Sequence, residues 1–253
     1  MKKLLVIGIG AGNPDYITIQ AVKALNRVDV FFLMEKGESK SQLIEWRREI
    51  CERYISDRDY RFVEAHSPER ERGDVDYKAS VDDLNLARQQ AFVRLINEEM
   101  ADGQCGGFLV WGDPGLYDST VRILHTLLAS GACEFEFEVI PGITSVQALT
   151  AQHKVALNQI GRSVEITTGR RLAAGQVSDA DSLVVMLDAQ DAYRQVTDQE
   201  TDIYWGAYLG TPDEILISGK LKDVADEIAR VRKVARQANG WIMDTYLLRK
   251  PEQ

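Results

Sequence analysis

Three apolar runs in the N-terminal half of the chain each stop at a glycine turn, and no other feature constrains the fold as much. Leu4–Gly8 runs into Gly10 and Gly12, Phe108–Trp111 into Gly112-Asp113-Pro114-Gly115, and Glu134–Ile140 into Pro141-Gly142-Ile143-Thr144-Ser145. Short apolar runs bounded by glycine read as strands buried on both faces, the kind found in parallel sheets covered by helices. Helical patterns fill the gaps. Thr18 is placed to cap a helix ending near Leu25, and Ser41–Tyr54 repeats apolar residues at three- to four-residue spacing. Val81–Ala101 carries Leu84, Ala87, Ala91, Leu95 and Ile96 on one helical face. Val28–Met34 and Tyr60–Glu64 read as further strands, Ser119–Ala129 and Thr144–Ala151 as further helices, and the charged stretch from Ser67 to Lys78 as a loop.

After Gln152 the pattern changes. Ser163–Thr168, Ser182–Leu187, Ile203–Tyr208, Glu214–Ser218 and Gly240–Leu248 read as strands, with one long helix at Leu221–Ala238. Many strands with few helices predict hairpins and a mixed sheet. The expected class is therefore α/β in two domains. Residues 1–155 form a mostly parallel sheet with helices, and residues 156–253 a smaller mixed-sheet α+β domain.

The chain has 39 acidic against 30 basic residues, a net charge of −9. That excess argues against an unspecific nucleic-acid or anionic-membrane binder, which needs a basic field. On bulk charge alone it also argues against a polyanionic small substrate. No apolar run approaches the ~20 residues of a membrane span. The start at Met1-Lys2-Lys3 imitates a signal peptide, but its apolar run breaks at Gly8, Gly10 and Gly12 with no small-residue cleavage site. Cys51, Cys105 and Cys133 are odd in number and lack CxxC spacing, which fits reduced thiols in the cytoplasm. His66, His125 and His153 lack metal-ligand spacing, so no metal is expected. His125 reads as core, and His153 falls near the domain junction.

The turns carry the chemistry. Strand C-termini are where open α/β sheets bind ligands, and glycine there lets the backbone approach a ligand closely. Gly8-Ile9-Gly10-Ala11-Gly12-Asn13 misses the dinucleotide fingerprint because Asn13 stands where a third glycine belongs. Glu35, ending the second strand, keeps a Rossmann-type nucleotide reading open as a ribose ligand. Asp113 fits either a ligand contact or the cap of the helix near Ser119.

Taken in order, these turns resemble those of the tetrapyrrole methylases, S-adenosylmethionine (SAM) methyltransferases of cobalamin and sirohaem synthesis. Gly8–Thr18 is similar to their opening glycine loop, Gly112-Asp113-Pro114 to their GDP turn, and Pro141–Ser145 to their PGxxS turn. Ser182–Leu187 and Leu209-Gly210-Thr211-Pro212-Asp213-Glu214 are similar to the two motifs of their second domain. The resemblance covers essentially the whole chain. Within the family, four stretches look like the branch that methylates C1 of precorrin-5 and expels the C20 acetyl group as acetate. They are Met34-Glu35-Lys36-Gly37 with Arg47–Cys51, Thr167–Leu172, Trp205–Pro212 and Trp241–Tyr246.

The resemblance implies two α/β domains with SAM folded into a cleft closed by the second, and a homodimer. It implies cofactor contacts at Ala11, Trp111, Gly112, Asp113, Leu116, Thr144, Ser145, Leu187, Tyr208 and Gly210, with S-adenosylhomocysteine as product. The family more often has proline at Ala11, glycine at Trp111 and methionine at Leu187. A precorrin substrate carries many carboxylates, so the −9 balance must be offset locally. Lys36, Arg170 and Arg171 are the expected substrate ligands. Arg47 and Arg48, and Arg70, Arg72 and Arg88 near the charged loop, form further basic clusters, of which Arg47, Arg48, Arg70 and Arg72 fit solvated surface equally well. Removal of the acetyl group calls for a base, for which Glu35, Tyr117 and Asp118 are the candidates. A sister precorrin methylase, a Rossmann-type nucleotide enzyme and a tetrapyrrole carrier remain the alternatives.

Overall fold

Leu4, Leu5, Val6 and Ile7 are all fully buried, so the first strand, β1 (Lys2–Gly8), has no solvent face along this stretch. Leu4 and Val6 enter one apolar cluster, Leu5 and Ile7 another, as the two-residue period of a strand requires. The computed structural model describes residues 1–35, 41–66 and 77–251. The chain divides into two units, Met1–Gly10 with Pro14–Ile143 and Ala11–Asn13 with Thr144–Gln253.

The first unit adds β2 (Val30–Glu35), β3 (Arg61–His66), β4 (Cys105–Val110) and β5 (Phe135–Ile140). All pairings are parallel, in the order β3-β2-β4-β1-β5. Helices α1 (Ile19–Leu25) and α2 (Ser41–Tyr54) cover one face, where Ala21, Ala24, Leu25, Ile50 and Cys51 pack with Leu5, Ile7 and Leu109. Helices α3 (Tyr77–Glu98) and α4 (Thr120–Ser130) cover the other, with Phe92, Leu95, Ile96, Ile123 and Leu124 against Leu4, Val6, Phe108 and Val110. Thr18 caps α1 as its sequence position predicts, its hydroxyl accepting the Ala21 N–H at 3.0 Å, an interaction worth about 1 kcal/mol. Gly131, left-handed at φ 68°, closes α4.

The second unit begins with α5 (Ser145–His153) and continues through β6 (Val164–Thr168), α6 (Gly169–Ala173), β7 (Ser182–Met186), β8 (Asp202–Ala207), β9 (Ile215–Lys220), α7 (Leu221–Asn239) and β10 (Asp244–Arg249). Its sheet runs β6-β7-β10-β8-β9, parallel only between β6 and β7. This is the mixed sheet the strand-rich pattern predicts. The division between units falls at Ile143 and Thr144, ahead of the expected break near residue 155. The reason is packing: α5 lies on β8 and β10, and Leu149 fills the space left by the missing side chain of Gly206.

Two local expectations differ. His125 is exposed on α4, its ring edge-on to Phe137 at 5.1 Å, because it falls on the solvent side of the Ile123/Leu124/Leu127 stripe. Most of the charged stretch expected to be a loop lies outside the described residues, and α3 already begins at Tyr77.

Candidate functional site at the strand ends

The sheet order creates a crevice in the first unit. β1 and β4 are neighbours, yet β1 leads to α1 on one face and β4 to α4 on the other. Chains departing to opposite faces leave a gap above the strand ends, which is where open α/β sheets hold ligands. Gly10 and Gly112 span the gap, the Gly112 N–H reaching Gly10 O at 2.8 Å and the Gly10 N–H reaching Gly112 O at 3.3 Å.

Glycine is required here by contact. A Cβ on Gly142 would stand 2.1 Å from Gly112 O, and one on Gly8 would stand 2.7 Å from Gly142 N. The three turns that end β1, β4 and β5 thus touch backbone to backbone. Asp113 locks two of them together: Oδ1 accepts the Gly115 N–H at 2.7 Å and Oδ2 the Gly142 N–H at 2.8 Å. Leu116 closes the same turn through its N–H to Asp113 O at 3.2 Å. Trp111 is half-buried and stacks on Trp46 with ring centres 5.6 Å apart.

The second unit organises its own strand ends. Thr144 caps α5 in a reciprocal capping box with Gln147, and Ser145 shares a hydrogen bond with Thr245 at 3.0 Å. Leu187 leaves β7 with a left-handed backbone, φ 54°, and is 63% exposed. Such a conformation is costly for leucine and persists only when its surroundings enforce it. Here the enforcer is Asp188. Buried, it accepts the Gln190 and Ala192 N–H groups and the Tyr246 hydroxyl, while Arg232 donates to its carbonyl. Arg232 also bonds Asp244 at 2.8 Å, and Trp205 Nε1 donates to the same carboxylate at 3.1 Å. Burial is the largest single influence and works against the charged guanidinium, but the bond to Asp244 and the charges of Asp244, Asp191 and Asp188 together outweigh it and lift the Arg232 pKa.

Several expected cofactor residues therefore have structural partners already. The Tyr208 side chain is buried, its hydroxyl 2.5 Å from Trp241 O. Its N–H goes to Met243 O and its carbonyl accepts from Thr211, so the polar groups of Tyr208 are taken up within the fold. The Gly210 N–H is bonded to Glu214 at 2.7 Å. Ala11 is buried, and beside it Gly12 leaves no room for a Cβ, which would stand 2.3 Å from Leu209 O.

Of the three candidate bases, Glu35 ends β2 in register with His66. Tyr117 is 46% exposed with a left-handed backbone, and Asp118 is exposed with Oδ1 accepting the Thr120 N–H at 2.7 Å. Tyr117 and Asp118 lie in the β4–α4 loop that rises from the crevice. Among the expected substrate ligands, Lys36 lies outside the described residues, as do Arg70 and Arg72. Arg170 and Arg171 are exposed on α6, and Arg171 bends back to Gln176 O at 2.9 Å. Among the described residues no group of three or more His, Cys, Asp or Glu is arranged to hold a metal ion, and no helix is long and apolar enough to cross a membrane.

Residues 3–225 match the profile of a family described as Tetrapyrrole (Corrin/Porphyrin) Methylases. The chain belongs to the tetrapyrrole methylases. Within that family it is 50% identical over 250 residues to the precorrin-6A synthase [deacetylating] of Sinorhizobium sp, covering 99% of this chain and 96% of the relative. The structure of a cobalamin-synthesis-related protein (CobF) from Corynebacterium diphtheriae superposes with a TM-score of 0.83 at 34% identity, covering all of both chains. A uroporphyrin-III C-methyl transferase from Thermus thermophilus, complexed with S-adenyl homocysteine, shares the fold at 16% identity and a TM-score of 0.60, covering 98% of this chain and 97% of that one. The family resemblance carried by the turns and the two-domain α/β class both hold for this methylase.

Proposed function

We propose that this chain methylates C1 of precorrin-5 with SAM as donor and releases the C20 acetyl group as acetate, forming precorrin-6A. The observation that carries this reading is the 50% identity along almost the whole chain to a precorrin-6A synthase [deacetylating].

The strand-end residues suit such a donor. Three turns meet backbone to backbone with no side chain between them, so no Cβ intrudes at the strand ends. Asp113 uses one acceptor direction of each oxygen on Gly115 and Gly142 and keeps two for ribose hydroxyls. Trp111, Gly112 and Leu116 complete the contacts we assign in the first unit. Ala11, Thr144, Ser145, Leu187, Tyr208 and Gly210 are assigned in the second. Leu187 offers an exposed apolar surface, and the pinned hydroxyls of Thr144 and Ser145 are already oriented.

SAM supplies a methyl group on a sulfonium, which is its own leaving group. The protein's task is then mainly to position two reactants, and residues locked by their neighbours do that at little further entropic cost. Acetate release adds one demand. Water attacks the acetyl carbonyl, its proton goes to a base, and the C20–acetyl electron pair passes through the ring to form the C1–methyl bond. Asp118 is our choice for the proton acceptor, since it is an exposed carboxylate at the β4 end held by one oxygen only among the described residues. A cytoplasmic homodimer belongs to the same proposal and is checked by light scattering.

Incubation with SAM and precorrin-5 tests the reading. One added methyl and one equivalent of acetate are expected. Methylation without acetate would point to a sister precorrin methylase, and a preference for nicotinamide cofactors to a nucleotide enzyme.

A further inference from the structure

Two arginines reach the end of β4 from opposite faces of the sheet. Arg47 sits on α2 one turn before Cys51, which is buried with Leu109. Arg88 sits on α3 one turn before Phe92, which is buried with Phe108 and Val110. An i, i+4 spacing puts each arginine on the core side of its helix, one turn nearer the strand ends. Arg47 Nε donates to Leu109 O at 3.1 Å and Nη1 to Leu43 O at 2.7 Å, with its guanidinium carbon 6.0 Å from the centre of the Trp111 ring. Arg88 Nη1 reaches Ser119 Oγ at 3.4 Å. Leu109 and Ser119 bracket the β4–α4 loop, so the two side chains are tethered to its two ends.

Among the described residues neither arginine makes an ion pair, whereas Arg48, Arg53, Arg58 and Arg61 in the same unit each do. Arg48 is taken up by Glu64 and lies over Phe62. Burial lowers the Arg47 pKa to about 10, with Asp118 opposing. Burial also lowers Arg88, again opposed by Asp118. Both remain cations at neutral pH. A desolvated guanidinium with no carboxylate at ion-pair distance among the described residues is expensive to keep, and its planar fork is matched to a carboxylate.

We propose that Arg47 and Arg88 form a two-point site for carboxylate side chains of the ring substrate, one guanidinium to each carboxylate. This rests on the polycarboxylate substrate of the proposed function. It shows how a chain of net charge −9 takes an acidic ligand: two shielded cations flank the crevice while the bulk charge faces solvent. The stacked Trp46 and Trp111 beside Arg47 add a flat apolar wall for the edge of a macrocycle. Asp118 favours both charged guanidinium groups but forms an ion pair with neither among the described residues, and its Oδ1 is engaged by the Thr120 N–H at the start of α4.

The test uses uroporphyrin III, an octacarboxylate ring, titrated into the full chain and followed by tryptophan quenching. SAM affinity is measured in parallel by calorimetry. Arg47→Gln and Arg88→Gln are each expected to weaken uroporphyrin binding roughly 10- to 100-fold, the usual worth of a hydrogen bond to a charged group, with SAM affinity within about twofold of native. Arg47→Lys keeps the charge without the fork and is expected to recover only part of the loss. Should Arg47→Gln fail to fold, Arg88→Gln and the salt dependence of native binding decide the matter. No binding by the native chain, or binding within about twofold of native in the folded variants, overturns the proposal. If uroporphyrin binding depends on both arginines but precorrin-5 yields no acetate, this site stands and the proposed reaction falls.

Discussion

Asp113 Oδ2 accepts the Gly142 N–H at 2.8 Å, so a carboxylate at the end of β4 fixes the turn that ends β5. Its other oxygen holds Gly115 at 2.7 Å. Asp113→Asn keeps one acceptor and sets an amide N–H group against the remaining backbone donor. The expected result is a loss of about 1 kcal/mol in stability, the net worth of one hydrogen bond, together with weaker SAM binding. Thermal melting and calorimetric titration check both. Weaker SAM binding at an unchanged melting temperature would mean that the carboxylate serves the ligand alone.

The same turn makes a second, sharper demand. At Gly142 an added Cβ would stand 2.1 Å from Gly112 O, a backbone atom that cannot swing aside. Gly161 is left-handed at φ 69°, but an added Cβ there meets nothing within 4 Å. Gly161→Ala should therefore cost only the left-handed penalty, about 1–2 kcal/mol. Gly142→Ala should cost several times more or prevent folding, because three strand ends must part. Urea unfolding of both variants gives the comparison, and equal losses would refute the contact argument.

Periodicity makes the strands and long helices legible, because burial on one or two faces is written directly into the apolar spacing. Leu4–Ile7 and the Leu221–Ala235 stripe are examples. The turns are legible as strand ends, but the partner of each polar residue in them is not. Asp113, Thr144 and Ser145 look like ligand groups by type, yet each has a backbone or side-chain partner that only the tertiary fold brings near. The buried Asp188 network left a faint trace, an arginine at 232 inside the apolar stripe between Ile228 and Ala235. Arg47 and Arg48 are adjacent in sequence and alike in type, yet one makes no ion pair among the described residues and the other is spent on Glu64. Which is which depends on where α2 meets the sheet.

Arg232 holds the floor under Leu187 by bonding Asp244 and the Asp188 carbonyl. Both Arg232 and Asp244 are almost wholly buried, so removing one partner strands the other. Arg232→Met is expected to cost about 3–5 kcal/mol. Burial already pushes the Asp244 carboxyl up, with Arg232 pulling it down. A carboxyl raised on folding binds its proton more readily when folded, so its contribution is greatest at low pH and is lost as pH rises through the folded value. Without Arg232 that rise should grow. The melting temperature of Arg232→Met should therefore improve relative to the native chain as pH is lowered from about 8 to 5. Differential scanning at several pH values would show it, and a constant gap between the two proteins would contradict it.

His153 Nε2 lies 3.0 Å from Trp205 O, its ring edge-on to Tyr204 at 5.6 Å. A carbonyl can only accept, so Nε2 carries the hydrogen of the neutral ring. Burial is the largest influence on this histidine and lowers its pKa from 6.5, while the Trp205 carbonyl and Glu214 oppose the fall. A base whose folded pKa lies below its unfolded value is harder to protonate when folded. Its contribution to stability is full above the unfolded value and shrinks as pH falls through that value toward the folded one. The native melting temperature should therefore drop between about pH 7 and 5 by more than that of His153→Gln, whose amide can still donate to Trp205 O without titrating. Parallel melting curves for the two proteins across that range would mean that His153 titrates alike in both states.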